Sequence, residues 1–174
     1  WGEIGKATMS YGYGITVTPI QLAQAYSVIA NNGLYTPLSL RKGLFQESKR
    51  VINENTAKTL LSMLEKVVED GTSKKAAVNG YRIGGKSGTA WKTSGAGGYS
   101  TDRYRSIFAG IAPIDDPRLV AVVFIEEPTG EFYYGGDVAA PVFSEIISQS
   151  LQLLSIPPQG FVTTPGLVAD NKNN

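Results

Sequence analysis

The sequence predicts an α+β domain: a three-strand antiparallel meander flanked by helices. Two segments carry apolar residues at helical spacing between start and stop signals, one after Thr18 and one after Asn55. Downstream the period changes, and Tyr81–Trp91, Tyr104–Pro113 and Leu119–Glu127 read as strands. The run Leu119-Val120-Ala121-Val122-Val123-Phe124-Ile125 is apolar on both faces, so both faces of the sheet are expected to be covered by helices.

Taken in order, Ser10-Tyr11-Gly12-Tyr13-Gly14 reads as an amphipathic turn, because alternating Tyr and Gly make a poor helix. Thr18-Pro19-Ile20-Gln21 opens the first helix. Thr18 suits the N-cap, Pro19 the first helical position and Gln21 the reciprocal position of a capping box. Asn31-Asn32-Gly33 stops it. The second helix is predicted from Asn55 to Asp70, with Leu60, Leu61, Leu64, Val67 and Val68 as its apolar stripe and Gly71 as its stop. Ile114-Asp115-Asp116-Pro117-Arg118 is short, so the last two strands form an antiparallel hairpin. The Gly/Ser-rich connection from Lys92 to Arg103 is longer. A last helix is expected from Ala140 to Ser155, ended by Pro157-Pro158. Residues 1–156 are expected to form one domain portion, and 157–174 a polar tail.

Composition narrows the chemistry. A chain of 174 residues can bury roughly 70% of its unfolded surface, enough for a real core. With 16 basic and 15 acidic residues it has no electrostatic footprint for nucleic acid or an anionic membrane. It contains neither cysteine nor histidine, which removes disulfides, thiolate metal sites and the commonest general base. Catalysis would fall to Lys, Ser, Thr, Tyr or carboxylates. The longest apolar run, Leu119 to Ile125, is far too short to span a bilayer. Trp1 is not a natural start, so the chain is expected to be a piece of a longer protein.

Gly80-Tyr81-Arg82-Ile83-Gly84-Gly85-Lys86-Ser87-Gly88-Thr89 matches two incompatible motifs. From Gly80 to Ser87 it is a literal P-loop, G-x-x-x-x-G-K-S. A P-loop needs its Lys-Ser to open a helix whose backbone N–H groups cradle phosphates. Here Gly88, Gly95, Gly97 and Gly98 follow, each costing about 1 kcal/mol in a helix, and no apolar stripe runs through them. The nucleotide reading is therefore rejected. From Lys86 to Thr89 the stretch is Lys-Ser-Gly-Thr, the K-[ST]-G type of motif found in serine acyl-transferases. Alone, K-[ST]-G arises by chance in roughly one chain in ten of this length, so its surroundings decide.

Those surroundings include Ala7-Thr8-Met9-Ser10-Tyr11-Gly12-Tyr13-Gly14, Val17-Thr18-Pro19-Ile20-Gln21-Leu22-Ala23-Gln24-Ala25-Tyr26 and Asn32-Gly33. Beyond the motif they include Phe108-Ala109-Gly110-Ile111-Ala112-Pro113, Asp116-Pro117-Arg118 and Tyr133-Tyr134-Gly135-Gly136-Asp137-Val138-Ala139-Ala140-Pro141-Val142-Phe143. In order and spacing, from Ala7 to Phe143, they resemble the class B penicillin-binding proteins, most closely the division-specific, septum-forming type. The resemblance implies part of the penicillin-binding protein/serine β-lactamase-like transpeptidase fold. It also implies a D,D-transpeptidase that cross-links peptidoglycan stem peptides and is acylated by β-lactams. Ser87 and Thr89 are implied to bind the substrate carboxylate, and Lys86 to supply a positive field and hydrogen-bond a proton-relay serine. The backbone N–H of Thr89 is implied as an oxyanion donor. Tyr13, Tyr99 and Tyr134 fall where relatives line the cleft with aromatics. Trp91 departs from the basic residue usual in close relatives and points to a flat apolar wall. The family implies no metal or organic cofactor. It does imply an inner-membrane anchor with a periplasmic face, the rest of the same domain as a partner, and other cell-division proteins.

Strand alternation adds that Ser87 and Thr89 share a face while Lys86 points to the other and must curl around the sheet edge. Their strand is therefore expected at an edge, with Gly84, Gly85 and Gly88 permitting close approach of ligand and chain. The family's nucleophile motif, S-x-x-K, and its S-x-N motif have no match in a suitable place. No S-x-N occurs, and Ser39-Leu40-Arg41-Lys42 follows a helix stop and Pro37, which marks a solvated loop. The nucleophile is expected to lie outside this chain. Alternatives are an elongation-type transpeptidase or β-lactamase relative, or, from another class, a non-catalytic β-lactam-sensing receptor domain. Asp116-Pro117-Arg118 and the Tyr-Gly-Gly segment favour the division type.

Overall fold

The structure, a computed structural model, describes residues 2–10, 12, 14–44, 46–93 and 99–158. It opens on a helix that the sequence reading did not include, α1 (Glu3–Met9), which buries none of its residues and so has no apolar stripe to announce it. Helix α2 (Pro19–Ala30) begins as expected. Gln21 N donates to Thr18 Oγ1 at 3.3 Å and Thr18 N to Gln21 Oε1 at 2.8 Å, closing the capping box. Its end uses Gly33 at φ +87°, whose N–H donates to Val28 O at 2.8 Å. A side chain at Gly33 would also collide with the Ile52 carbonyl.

Two short strands, β1 (Leu34–Tyr35) and β2 (Lys49–Arg50), pair antiparallel after α2. Helix α3 (Glu54–Glu69) is capped by Asn53, whose Oδ1 accepts from Asn55 N at 2.8 Å, and it buries Ala57, Leu61, Glu65 and Val68. A single 3₁₀ turn, Lys74–Ala76, follows.

The main sheet contains β3 (Gly84–Thr93), β4 (Tyr99–Ala112) and β5 (Leu119–Glu126) in the order β3-β4-β5, all antiparallel. The meander is the expected one, with its largest boundary shifts at the starts of the first two strands. Strand β3 begins at Gly84 because Tyr81 instead bridges Val78 in its own turn. Strand β4 begins at Tyr99, earlier than expected, because the polar stretch before Tyr104 still pairs with β3 through an irregularity between Trp91 and Thr93. The last helix, α4 (Gly135–Leu153), also starts earlier than expected and carries Pro141 inside it. Gly135 and Gly136 read as loop in isolation, but packing requires them. A Cβ on Gly135 would collide with the Ile107 and Gly88 carbonyls, and one on Gly136 with the Thr72 carbonyl.

Both faces of the sheet are covered, as the two-faced apolar strand predicts. Helix α4 lays Phe143, Ile147 and Leu151, all at most 1% exposed, against Phe108, Ala112 and Val123. The Phe108 and Phe143 rings sit 4.7 Å apart in a tilted pair. Helices α2 and α3 cover the opposite face, where Leu61, Ile111 and Ile114 pack with Tyr26, Ile29, Leu64 and Val120. Each large side chain so buried contributes about 1.5–3 kcal/mol. Gly84 and Gly85 serve this packing rather than ligand approach. A Cβ on Gly84 would lie 2.5 Å from Ile114 Cδ1, and one on Gly85 would strike the Phe108 ring.

The turn into β3 is fixed to α3 by a two-point ion pair. Arg82 Nε donates to Glu65 Oε1 at 2.6 Å and Arg82 Nη2 to Glu65 Oε2 at 2.7 Å. The Glu65 side chain is 8% exposed and the Arg82 side chain 54%. Arg82 hydrogen bonds hold the Glu65 carboxyl below its ordinary pKa against the opposing effect of burial. The polar tail assigned to 157–174 lies, from residue 159 on, outside the described residues.

Candidate active site

Strand β3 lies at one edge of the three-stranded sheet. Its register pairs Ser87 with Phe108, Thr89 with Ser106 and Trp91 with Tyr104, so these side chains share the face covered by α4. Backbone directions follow from the crowding at two glycines. Gly84 O, and Gly88 N and O, crowd the positions that Cβ atoms of Gly110 and Gly135 would take over the β3–β4 seam. The even-numbered residues of β3 thus turn their polar groups toward β4. Alternation turns the N–H and C=O of Ser87 and Thr89 to the open edge. Consistent with this, exposed Lys86 curls back to the edge, where its Nζ donates to Ser87 O at 2.9 Å.

The start of α4 closes over this strand. Gly135 N donates to Thr89 Oγ1 at 3.0 Å, and Thr72 Oγ1 lies 3.4 Å from Ser87 Oγ. Together they line a cavity of about 490 Å³, formed by Thr72, by Lys86, Ser87 and Thr89 of β3, and by Tyr134 to Asp137. Lys75 Nζ bonds Asp137 Oδ1 at 2.7 Å and lies 5.5 Å from the centre of the Phe132 ring, tying the loop after α3 to the start of α4. Ser106, fully buried beneath, donates to the Tyr133 carbonyl and fixes the segment that enters α4. A cavity with one ammonium, two same-face hydroxyls, outward backbone N–H groups and a helix start is suited to a carboxylate.

Aromatic rings extend from this cavity along the same face. Trp91 and Tyr104 are 4.7 Å apart, Tyr104 stacks on Tyr133 at 4.0 Å, and Tyr133 meets Tyr134 at 4.5 Å. Trp91 is 42% exposed and Tyr134 56%, so the row ends in open rings on both sides. The Tyr133 and Tyr134 hydroxyls lie 3.2 Å apart, and this contact pushes the Tyr134 phenol above its ordinary pKa. Lys92, which follows Trp91 in β3, is bound to Glu127 at 2.6 Å and Glu126 at 3.1 Å. Its pKa is raised by those carboxylates.

Of the residues singled out in the sequence, Lys86, Ser87, Thr89 and Tyr134 line one cavity. Gly88 lies between Ser87 and Thr89 in β3; a Cβ there would meet only Ile107 Cβ at 3.9 Å, on the face opposite the cavity. Trp91 stands outside the cavity and joins it through the ring row. The backbone of Tyr99 pairs with Thr93; its side chain, and Tyr13 entirely, lie outside the described residues. Lys86 and Ser87 sit inside a strand, so the helix start that a P-loop requires is not there. Ser39 and Lys42 are exposed in the loop between β1 and β2, with Ser39 Oγ accepting from Arg41 N at 3.0 Å. Sequence reasoning missed Thr72 and Asp137 and assigned no role to Gly135 and Gly136. The Tyr-Gly-Gly run was a signal for the glycines; for Thr72, brought 15 residues along the chain to Ser87, there was none.

Residues 1–148 match the family described as "Penicillin binding protein transpeptidase domain". The chain is 45% identical to the probable peptidoglycan D,D-transpeptidase PbpC of Pseudomonas aeruginosa, over 100% of this chain and 31% of that protein. It is 42% identical to the peptidoglycan D,D-transpeptidase FtsI of Escherichia coli K12, over 94% of this chain and 28% of that protein. The transpeptidase domain of Burkholderia pseudomallei penicillin-binding protein 3 superposes with a TM-score of 0.82 at 46% identity, over 91% of this chain and 49% of that one. The chain thus spans about three tenths of these two curated relatives and about half of the solved domain. An edge strand bearing Lys-Ser-Gly-Thr under a Gly-Gly helix start, together with these similarities, makes the chain a member of the penicillin-binding protein transpeptidase family, of the class B, FtsI-like type.

Proposed function

We propose that this chain forms one wall of the active site of a serine-type peptidoglycan D,D-transpeptidase, within a longer protein that cross-links stem peptides during septal wall synthesis. The observation that carries the reading is the single cavity shared by Lys86, Ser87 and Thr89 at the open edge of β3. A stem peptide ending in a carboxylate, or a β-lactam that mimics it, lies along this edge in the manner of an added strand. Ser87 and Thr89 hydroxyls hold the carboxylate, each charge-assisted hydrogen bond contributing roughly 1.5–3 kcal/mol. Lys86 supplies the positive field and, released from the Ser87 carbonyl, binds the proton-relay serine. The outward N–H of Thr89 donates to the oxyanion that forms when the nucleophilic serine attacks, a donor worth about 10²–10³ in rate. Tyr134 and the ring row ending at Trp91 flank the ligand's acyl side; Tyr13 and Tyr99 are assigned to ligand binding on the family resemblance.

Nucleophile and proton-relay serine come from the remainder of the domain, which makes that remainder the chain's first partner. No metal or organic cofactor takes part. In the whole protein the domain is anchored to the inner membrane, faces the periplasm and works with other division proteins. The test is incubation with a fluorescent penicillin followed by denaturing electrophoresis. The whole protein gives a covalent band and the isolated 174-residue chain gives none. A band on the isolated chain overturns the division of labour, and no band on the whole protein overturns the function.

A further inference from the structure

Thr72 belongs to no sequence motif that pointed to the site, yet its hydroxyl stands in the cavity beside Ser87, at 3.4 Å between the oxygens. Its position is fixed from three sides. Its carbonyl lies so close to Gly136 that any side chain there would collide with it. The next residue, Ser73, is completely buried. Three residues on, Lys75 is bonded to Asp137 at 2.7 Å. The loop is therefore held against the start of α4, with the Thr72 hydroxyl aimed at β3.

A hydroxyl has one hydrogen to donate. Thr89 Oγ1 already accepts from Gly135 N at 3.0 Å, so its own hydrogen is left for the cavity. We infer that Thr72 does for Ser87 what Gly135 does for Thr89: it donates to Ser87 Oγ and so directs the Ser87 hydrogen into the cavity. The two same-face hydroxyls then present parallel donors to one carboxylate, each polarised from behind by a protein donor. Thr72 is a positioning residue, acting on the ligand through Ser87. This inference rests on the carboxylate-binding reading of the site and adds a residue to it.

The experiment measures second-order acylation rates of the whole protein by a penicillin and by its methyl ester, which lacks the carboxylate charge. Wild-type protein prefers the carboxylate; absence of that preference overturns the carboxylate-binding reading, whatever Thr72 does. Thr72→Val removes the hydroxyl and keeps the shape. It lowers the carboxylate-to-ester rate ratio about fivefold, the size expected from one neutral hydrogen bond. Thr72→Ser keeps the ratio near wild type, whereas Thr72→Ala, one oxygen smaller than the Ser variant, lowers it like Val. In a Ser87→Ala background Thr72→Val changes the ratio no further. An equal slowing of both compounds, an unchanged ratio in Thr72→Val, or a full Thr72→Val effect without the Ser87 hydroxyl overturns the role of Thr72.

Discussion

Lys86 of β3 and Gly135 of α4 fail in distinct ways. Among the described residues, Lys86 is the only lysine or arginine lining the cavity. Lys86→Ala in the whole protein slows acylation by a fluorescent penicillin by orders of magnitude, while the thermal midpoint stays near wild type because the side chain is exposed. Near-normal acylation kinetics would refute the assigned role. Gly135 is limited by space rather than chemistry. A methyl group there would meet the Ile107 and Gly88 carbonyls, which belong to the β3–β4 seam and cannot swing aside. Gly135→Ala destabilises by about 1–3 kcal/mol, as overpacking does. It also displaces the N–H bonded to Thr89 Oγ1. Thermal melts and acylation rates of the whole protein should therefore fall together. An unchanged melt with unchanged acylation would mean that α4 absorbs the methyl group without moving.

At the scale of elements, the site depends on how α3 and α4 grip the ends of β3. The Glu65–Arg82 pair fixes the turn that aims β3, and its carboxylate is nearly buried. Arg82→Met leaves that carboxylate without its two-point partner, costing about 2 kcal/mol and lowering the thermal midpoint by roughly 4–8 °C. The pH dependence has a definite sign. Because the folded-state pKa of Glu65 is depressed, its stabilisation is complete above the unfolded value of roughly 4.3 and is lost as pH falls through the folded value. The gap between wild-type and Arg82→Met midpoints should narrow below about pH 4. A gap that is constant down to pH 2.5 would show that the pair contributes through packing alone. The other grip, Lys75 on Asp137, is more exposed, and its weight lies in positioning Thr72 and Gly136 rather than in stability.

For the molecule as a whole, the sequence was most informative where a residue's role is local. Thr18, Pro19 and Gln21 fix the start of α2 through bonds to one another, so four residues sufficed to read it. Leu119 to Ile125 announced a strand covered on both faces because the pattern is a property of one segment. The edge position of β3 was legible because Lys86 and the hydroxyl pair point to opposite faces and must still serve one ligand. Chain-local rules failed at α1, which has no buried face, and at the start of α4, where Gly135 and Gly136 argue against a helix when read alone. Only tertiary structure decided that these glycines begin a helix, because the collisions that forbid a side chain come from Ile107, Gly88 and Thr72. The same holds for Thr72 and Asp137, whose partners are Ser87 and Lys75, distant in the chain. The sequence by itself determined the family, the meander and the Lys-Ser-Gly-Thr strand, since each is written in short local runs and their order along the chain. What closes that strand into a cavity was left to the fold, because contacts between distant segments obey packing and leave no periodic trace in the chain.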